Sequence, residues 1–97
     1  MVKLICPDSV SQWEHEQISQ YPEIKFFIEK LKNMILKNPD KGLTDSFLSV
    51  KGKSIPCYKR TVGLNLFNYQ YAIGYNFLTA KYIFNVDTIF ITNMFYS

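Results

Sequence analysis

Histidine is nearly absent from this sequence, with His15 alone among 97 residues, and cysteine is scarce, with only Cys6 and Cys57. His15 stands between Glu14 and Glu16 in a pattern that suits a solvated helix face, and neither cysteine lies in a CxxC spacing or next to a histidine. The donor set of a structural or catalytic zinc site is therefore missing, and no metal is expected. Also missing are HExxH, a P-loop, GxSxG and GxGxxG, which removes the usual signatures of zinc hydrolysis, phosphate-loop binding, serine hydrolysis and dinucleotide binding, so no small-molecule cofactor is expected. Cys57 as a nucleophile lacks a histidine to lower its pKa. Unpatterned thiols of this kind read as buried small hydrophobes in a reducing compartment. No apolar run approaches the roughly 20 residues of a membrane span, because Asn, Asp, Gln, Thr or Lys interrupts each one, and "MVKLICPDS" lacks the apolar core of a secretory signal. The expectation is a cytoplasmic protein without a membrane partner.

What is present is apolar and aromatic: 47% of residues are hydrophobic, 16% aromatic and 20% charged. Such a chain buries enough surface to offset its ordering entropy, and residues 1–97 read as a single domain without internal repeats or low-complexity linkers. The net charge of +3 is unevenly spread. Between Ser46 and Val86 lie Lys51, Lys53, Lys59, Arg60 and Lys81 and no acid, while the other six bases face eight acids. One side of the molecule is then positive, which suits phosphate or an acidic partner, or serves to keep an aromatic sheet soluble.

The order of elements follows from periodicity. "VKLIC" (2–6) is a short strand that stops at Pro7, and Ser9 with Gln12 has the spacing of a capping box for a helix over 10–19. Pro22 opens a second helix whose Ile24, Phe27, Ile28, Leu31, Met34 and Ile35 recur at helical spacing, and "NPDKG" ends it. A loop carrying "DSFLSVKGKS" leads into β-branched and aromatic sequence, with strands expected near 55–62, 66–77, 81–86 and 88–95 and a tight hairpin at "NVDT". The fold class is α+β: β-α-α followed by an antiparallel sheet of three to four strands, with the helices packed on one face.

The stretch "SIPCYKRTVGLN" (54–65) sets Lys59 and Arg60 side by side on an expected strand. Alternation groups Lys59 with Cys57 and Thr61, and Arg60 with Tyr58 and Val62, so only one of the two bases looks onto an uncovered face. Tyr58 and Arg60 together would form a stacking and phosphate-binding surface of the kind used for single-stranded RNA, with Lys51 and Lys53 as further RNA-binding residues; the same pair also occurs in ordinary sheets as a cation–π contact.

These stretches resemble the RelE/ParE superfamily of bacterial toxin–antitoxin systems, in particular its HigB-like branch. "PEIKFFIEKLKNMILKNPDKG" is similar to that family's second helix, "PCYKRTV" to the strand that follows, and "AKYIFNVDTIFITNMFYS" to its closing hairpin; "GLNLFNYQYAIGYNFLTA" lies between the matched strands as an additional piece. The resemblance implies a cytoplasmic toxin, an endoribonuclease that cleaves mRNA on the ribosome without a metal and is neutralised by a cognate antitoxin protein. It places Lys59, Arg60, Lys81 and Tyr96 in the catalytic set. The ParE branch implies instead a non-enzymatic inhibitor that binds a host protein, and a third reading is an inactive interaction module of the same fold.

Overall fold

The apolar stripe of one helix organises the molecule. Helix α2 (Ile24–Lys37) buries Ile24, Phe27, Ile28, Leu31 and Ile35, all on one side, as the helical spacing predicts. The computed structural model describes the backbone of residues 1–97 and all side chains except those of Leu43, Asp45, Ser46 and Val50. Before α2 come strand β1 (Lys3–Ile5) and helix α1 (Asp8–Gln20). After it, a 3-10 turn (Pro39–Lys41) leads to strands β2 (Leu43–Val50) and β3 (Lys53–Gly63), a second 3-10 turn (Leu66–Asn68) with a short helix α3 (Tyr69–Ile73), and strands β4 (Phe77–Asn85) and β5 (Thr88–Tyr96). Helices α1 and α2 cover one face of the sheet, where Val62, Leu78, Ala80, Tyr82, Ile89, Ile91 and Met94 are buried. Among the described residues no helix is long and apolar enough to cross a membrane.

The class is α+β, and three features correct the expected detail. The sheet has five strands in the order β1-β5-β4-β3-β2, and it is mixed, because β1 pairs in parallel with β5 through Leu4 and Ile89. The stretch "DSFLSVKGKS" (45–54), expected in a loop, lies largely in β2, which runs from Leu43 to Val50. Phe47 and Leu48 are adjacent and both exposed, so among the described residues of this edge strand burial does not alternate. Residues 66–77, expected as a strand, hold α3. Phe67 and Asn68 adopt left-handed backbone (φ 58 and 55), which breaks an extended run. Tyr69 and Ile73, four apart, then turn inward together, and Gly74 at φ 86 ends the helix with its N–H donated to Gln70 O.

The start of α1 also differs. Ser9 lies inside the helix and makes no cap; the chain turns in at Pro7, whose carbonyl accepts from Val10 and Ser11 N–H at 3.0 Å each, with Asp8 in the first turn facing the positive end of the dipole. Glu14, expected on a solvated face with His15, is buried against Lys32 of α2 at 2.8 Å.

The hairpin between β4 and β5 closes through two residues, since Asn85 pairs with Thr88. Val86 takes φ 60 there while 88% exposed, a conformation that a β-branched residue adopts at a cost and that glycine adopts freely. Val86→Gly is expected to raise stability by about 0.5–1 kcal/mol, the relief of strain outweighing the added chain entropy. Urea denaturation with an unchanged m-value checks it, and a loss of stability would show that Val86 is unstrained.

Candidate functional site

Strands β3 and β4 carry mirrored triplets, Lys59-Arg60-Thr61 and Thr79-Ala80-Lys81, and antiparallel pairing sets like on like: Lys59 lies opposite Lys81 and Thr61 opposite Thr79. Val62, Leu78, Ala80 and Tyr82 point into the helix layer, so alternation sends the lysine and threonine pairs to the other face of the sheet. Directly opposed residues start from Cβ atoms about 5 Å apart, so both lysines rise from one small area of the sheet. Two lysines on one strand pair make this part of the sheet positive, which suits an acidic or phosphate group.

Neighbouring groups add donors and an aromatic surface. The Thr61 and Thr79 hydroxyls share a hydrogen bond of 2.8 Å. The Lys81 ammonium lies 5.8 Å from the centre of the Phe95 ring, on the side of Thr79, the residue that Phe95 faces across β4 and β5. A bulge shapes this corner. Tyr82 pairs with Ile91 and Lys81 with Asn93, leaving Thr92 as the extra residue, with its hydroxyl donating to Lys81 O at 3.1 Å. The extra residue turns Asn93 and Phe95 onto the lysine face and Met94 into the core.

The residues singled out in the sequence are not all brought together. Lys59 and Lys81 meet on the uncovered face. Arg60 and Tyr58 share the helix-covered face instead. Arg60 Nη1 donates to Asn38 O at 3.0 Å and to Met34 O at 3.4 Å. It thereby adds a charged donor to two carbonyls at the C-terminus of α2 that also accept the Asn38 and Lys41 N–H groups at 3.2 Å each, and it sits at the negative end of the helix dipole. Tyr58 stacks on Tyr82, with ring centres 5.5 Å apart, and the Tyr82 hydroxyl donates to Pro39 O at 2.7 Å. Burial pushes the Tyr82 phenol pKa up, and the Arg60 guanidinium pulls it partly back. Gly42 is needed beside this group, because a Cβ there would lie 2.6 Å from the Tyr82 hydroxyl oxygen. Lys51 and Lys53 lie at the turn joining β2 and β3, with Lys51 and Gly52 both left-handed (φ 50 and 78). Six residues of strand, about 20 Å, separate Lys53 from Lys59.

Tyr96 also points to the helix side. Its ring packs on Trp13 at 5.2 Å and stacks on Tyr75 at 5.3 Å, and its hydroxyl is buried without a hydrogen-bond partner. Burial, with Tyr21 and Tyr69 nearby, holds its pKa well above the usual phenol value. At the far edge of the helix layer, burial likewise raises the pKa of the Cys6 thiol, close to the Glu14–Lys32 ion pair, which lowers the thiolate fraction and its nucleophilicity. Among the described residues no three of His, Cys, Asp and Glu converge.

Thr61, Thr79, Asn93 and Phe95 went unrecognised in the sequence. The mirrored Lys-x-Thr and Thr-x-Lys spacing is the signal that reveals the first two, once the strands are known to run antiparallel.

Two measurements test these placements. Arg60→Ala is expected to lower stability by about 1–2 kcal/mol through the loss of charge-assisted hydrogen bonds at the negative end of α2, against about 0.5 kcal/mol or less for Lys59→Ala, both by urea denaturation. Tyr96→Phe is expected to stabilise by about 1 kcal/mol, because it removes a buried hydroxyl that has no partner. The raised Tyr96 pKa means that its contribution is intact below the unfolded value near 10.0 and is lost as pH rises through the folded value. The Phe variant should therefore show a shallower alkaline fall in melting temperature than the wild type; equal slopes would refute that assignment.

In comparisons with known proteins the chain matches no family model, no curated protein and no solved structure.

Proposed function

We propose that the chain is a toxin-like protein of the RelE/ParE kind that binds mRNA on the ribosome and cleaves it without a metal, held in check by a cognate antitoxin protein. The observation that carries this reading is the Lys59–Lys81 pair beside the Thr61–Thr79 hydrogen bond and the Phe95 ring, on the face that α1 and α2 leave uncovered. The order of one strand, two helices and then antiparallel strands β2 to β5 supports the RelE/ParE-like fold.

On this reading an RNA strand lies across β3 and β4 with a phosphate between the lysines. The ribose 2′-hydroxyl loses its proton to solvent water as its oxygen bonds to the adjacent phosphorus, the P–O5′ bond breaks, and charge builds on the non-bridging oxygens. Two ammonium groups fixed on neighbouring strands stabilise that charge without reorganising. Either of them can hand a proton to the leaving oxygen, and the exposed Thr61 hydroxyl, held by buried Thr79, offers a hydrogen bond to phosphate or ribose. Arg60 and Tyr96 contribute indirectly, Arg60 by fixing the end of α2 over β3 and Tyr96 by packing the last strand under α1.

A second reading has its own observation. Ile5, Phe90, Ile83 and Cys57 align in register across β1, β5, β4 and β3 on the same face as the lysines, an apolar row that fits a protein partner. This favours an inhibitor that binds a host protein, as in the ParE branch.

Inducible expression in a bacterium, following growth and bulk mRNA, separates the two. The first reading expects growth arrest with mRNA cleavage, and a loss of cleavage of about 100-fold or more in Lys59→Ala/Lys81→Ala. Arrest with intact mRNA that is relieved by Ile5→Ser/Phe90→Ser would favour the second. Normal growth with soluble protein would overturn both.

A further inference from the structure

The hairpin of β2 and β3 has two open edges that are built differently. Pairing of β3 with β4 begins at Cys57, whereas pairing of β3 with β2 continues from Cys57 on to Lys53, so residues 46–56 form a two-stranded arm beyond the β3–β4 contact. On its β3 side the arm carries Lys53 and Pro56, residue types that block edge pairing. On its β2 side, the outer edge of the whole sheet, residues 46–50 include neither a charge nor a proline, and Phe47 and Leu48 are 65% and 44% exposed. A two-stranded ribbon of this kind is marginal in water by itself.

The turn at the tip of the arm fixes which backbone groups point outward. Lys51 and Gly52, at φ 50 and 78, make a two-residue primed turn, and such a turn is closed by a pair that exchanges both hydrogen bonds, here Val50 with Lys53. Alternation then makes Leu48–Ile55 and Ser46–Cys57 bonded pairs, and Ser49–Ser54 and Phe47–Pro56 unbonded ones. Pro56 agrees with this parity, because it has no N–H to give and occupies an unbonded position. The N–H and C=O groups of Phe47 and Ser49 therefore point away from β3, into the space beside the sheet.

We infer that this edge is a dimerisation site at which β2 pairs antiparallel with β2 of a second copy of the chain, with Leu48 on the twofold axis. Centred there, Phe47 of each copy lies opposite Ser49 of the other, so the residues with outward backbone groups exchange their hydrogen bonds with one another. Centring on Phe47 would draw in the bulge between Thr44 and Ser46, and centring on Ser49 would draw in the turn. The Leu48 register also sets position 51, a lysine, level with position 45 of the other copy, an aspartate, on both sides of the axis. Leu48 meets its counterpart at an unbonded pair, with Cβ atoms about 4.5 Å apart, and the two Phe47 rings become diagonal neighbours at about 7–8 Å, within reach of aromatic side chains. The axis stands perpendicular to the sheet, so two five-stranded sheets join into one, with both lysine surfaces facing the same way. The pairing needs no RNA and stands apart from the reading of the lysine face.

Sedimentation equilibrium at rising protein concentration tests the assignment, with circular dichroism to confirm that each variant is folded. The wild-type chain should reach twice the monomer mass. Ser49→Pro removes an outward N–H and leaves the β2–β3 bonds in place, so it should weaken the dimer about tenfold or more. Leu48→Lys and Leu48→Asp should each be monomeric, because like charges then oppose one another across the axis, and mixing the two should restore a one-to-one dimer. Ile5→Ser/Phe90→Ser, on the apolar row of the sheet face, should dimerise as the wild type does. A monomer at every concentration, a dimer that survives Ser49→Pro, or failure of the two charged variants to pair on mixing would overturn the site.

Discussion

Burial of the α2 stripe against β3 and β4 is the contact on which the rest of the arrangement depends. Ile24, Phe27, Ile28, Leu31 and Ile35 meet a sheet face made by Val62, Leu78, Ala80 and Tyr82. Because successive strand residues point to opposite sides, every apolar residue claimed by α2 commits its neighbours to the other side. The hydrophobic term thereby positions the charges: Lys59, Lys81 and the Thr61–Thr79 pair lie on one face because valine, leucine, alanine and tyrosine are needed on the other. Arg60 is the charged residue of β3 on the covered side, and it is tolerated there because it finds acceptors at the carbonyl end of α2. Its link to Asn38, with that of Tyr82 to Pro39, ties the helix end to the strands beneath it.

How much of this could be read from the amino acids varies with the physical origin of each feature. The α2 stripe is legible because it spans four turns of one period and is interrupted by charge on the opposite side. The pairing of β4 with β5 is legible because its turn is two residues long. Residues 69–75 are ambiguous in principle. Tyr69, Tyr71, Ile73 and Tyr75 alternate as in a strand, yet Tyr69 and Ile73 also share a helix face, and the decision is made by stacking of Tyr69 on Phe27 and by left-handed backbone at Phe67 and Asn68. No propensity of phenylalanine announces that conformation. The separation of Lys59 from Arg60 was visible as alternation, but which of them faces outward depended on knowing that Val62 is buried. The Thr92 bulge, which places Phe95 beside Lys81, has no local signature and follows from the competing burial of Ile91 and Met94.

The piece from Leu64 to Asn76 shows how strain and exposure coexist with a precise local frame. Phe67 is 79% exposed in a left-handed conformation that is costly for a bulky residue, and it reaches out to the Phe26 ring on α2 at 6.4 Å. On either side of it, Leu64 and Ile73 are buried. An irregular excursion anchored at both ends by core residues can hold its exposed side chains more firmly than a loop of the same length lying free on the surface.

The parallel partnership of β1 with β5 bears on when the sheet can form. Residues 3–5 have no sheet neighbour other than residues 88–90. A ribosome making this chain N-terminus first releases β1 early and its partner more than eighty residues later, so the β1 edge waits while α1, α2 and the hairpins assemble. The contact is the most non-local in the sheet and carries the largest loop-closure cost, which makes its formation a late event in folding. Until then Leu4 lacks the Ile89 side of its packing and α1 lacks its strand support. The newborn chain thus passes through a stage with its lysine surface already laid out on β3 and β4 and its first edge still open.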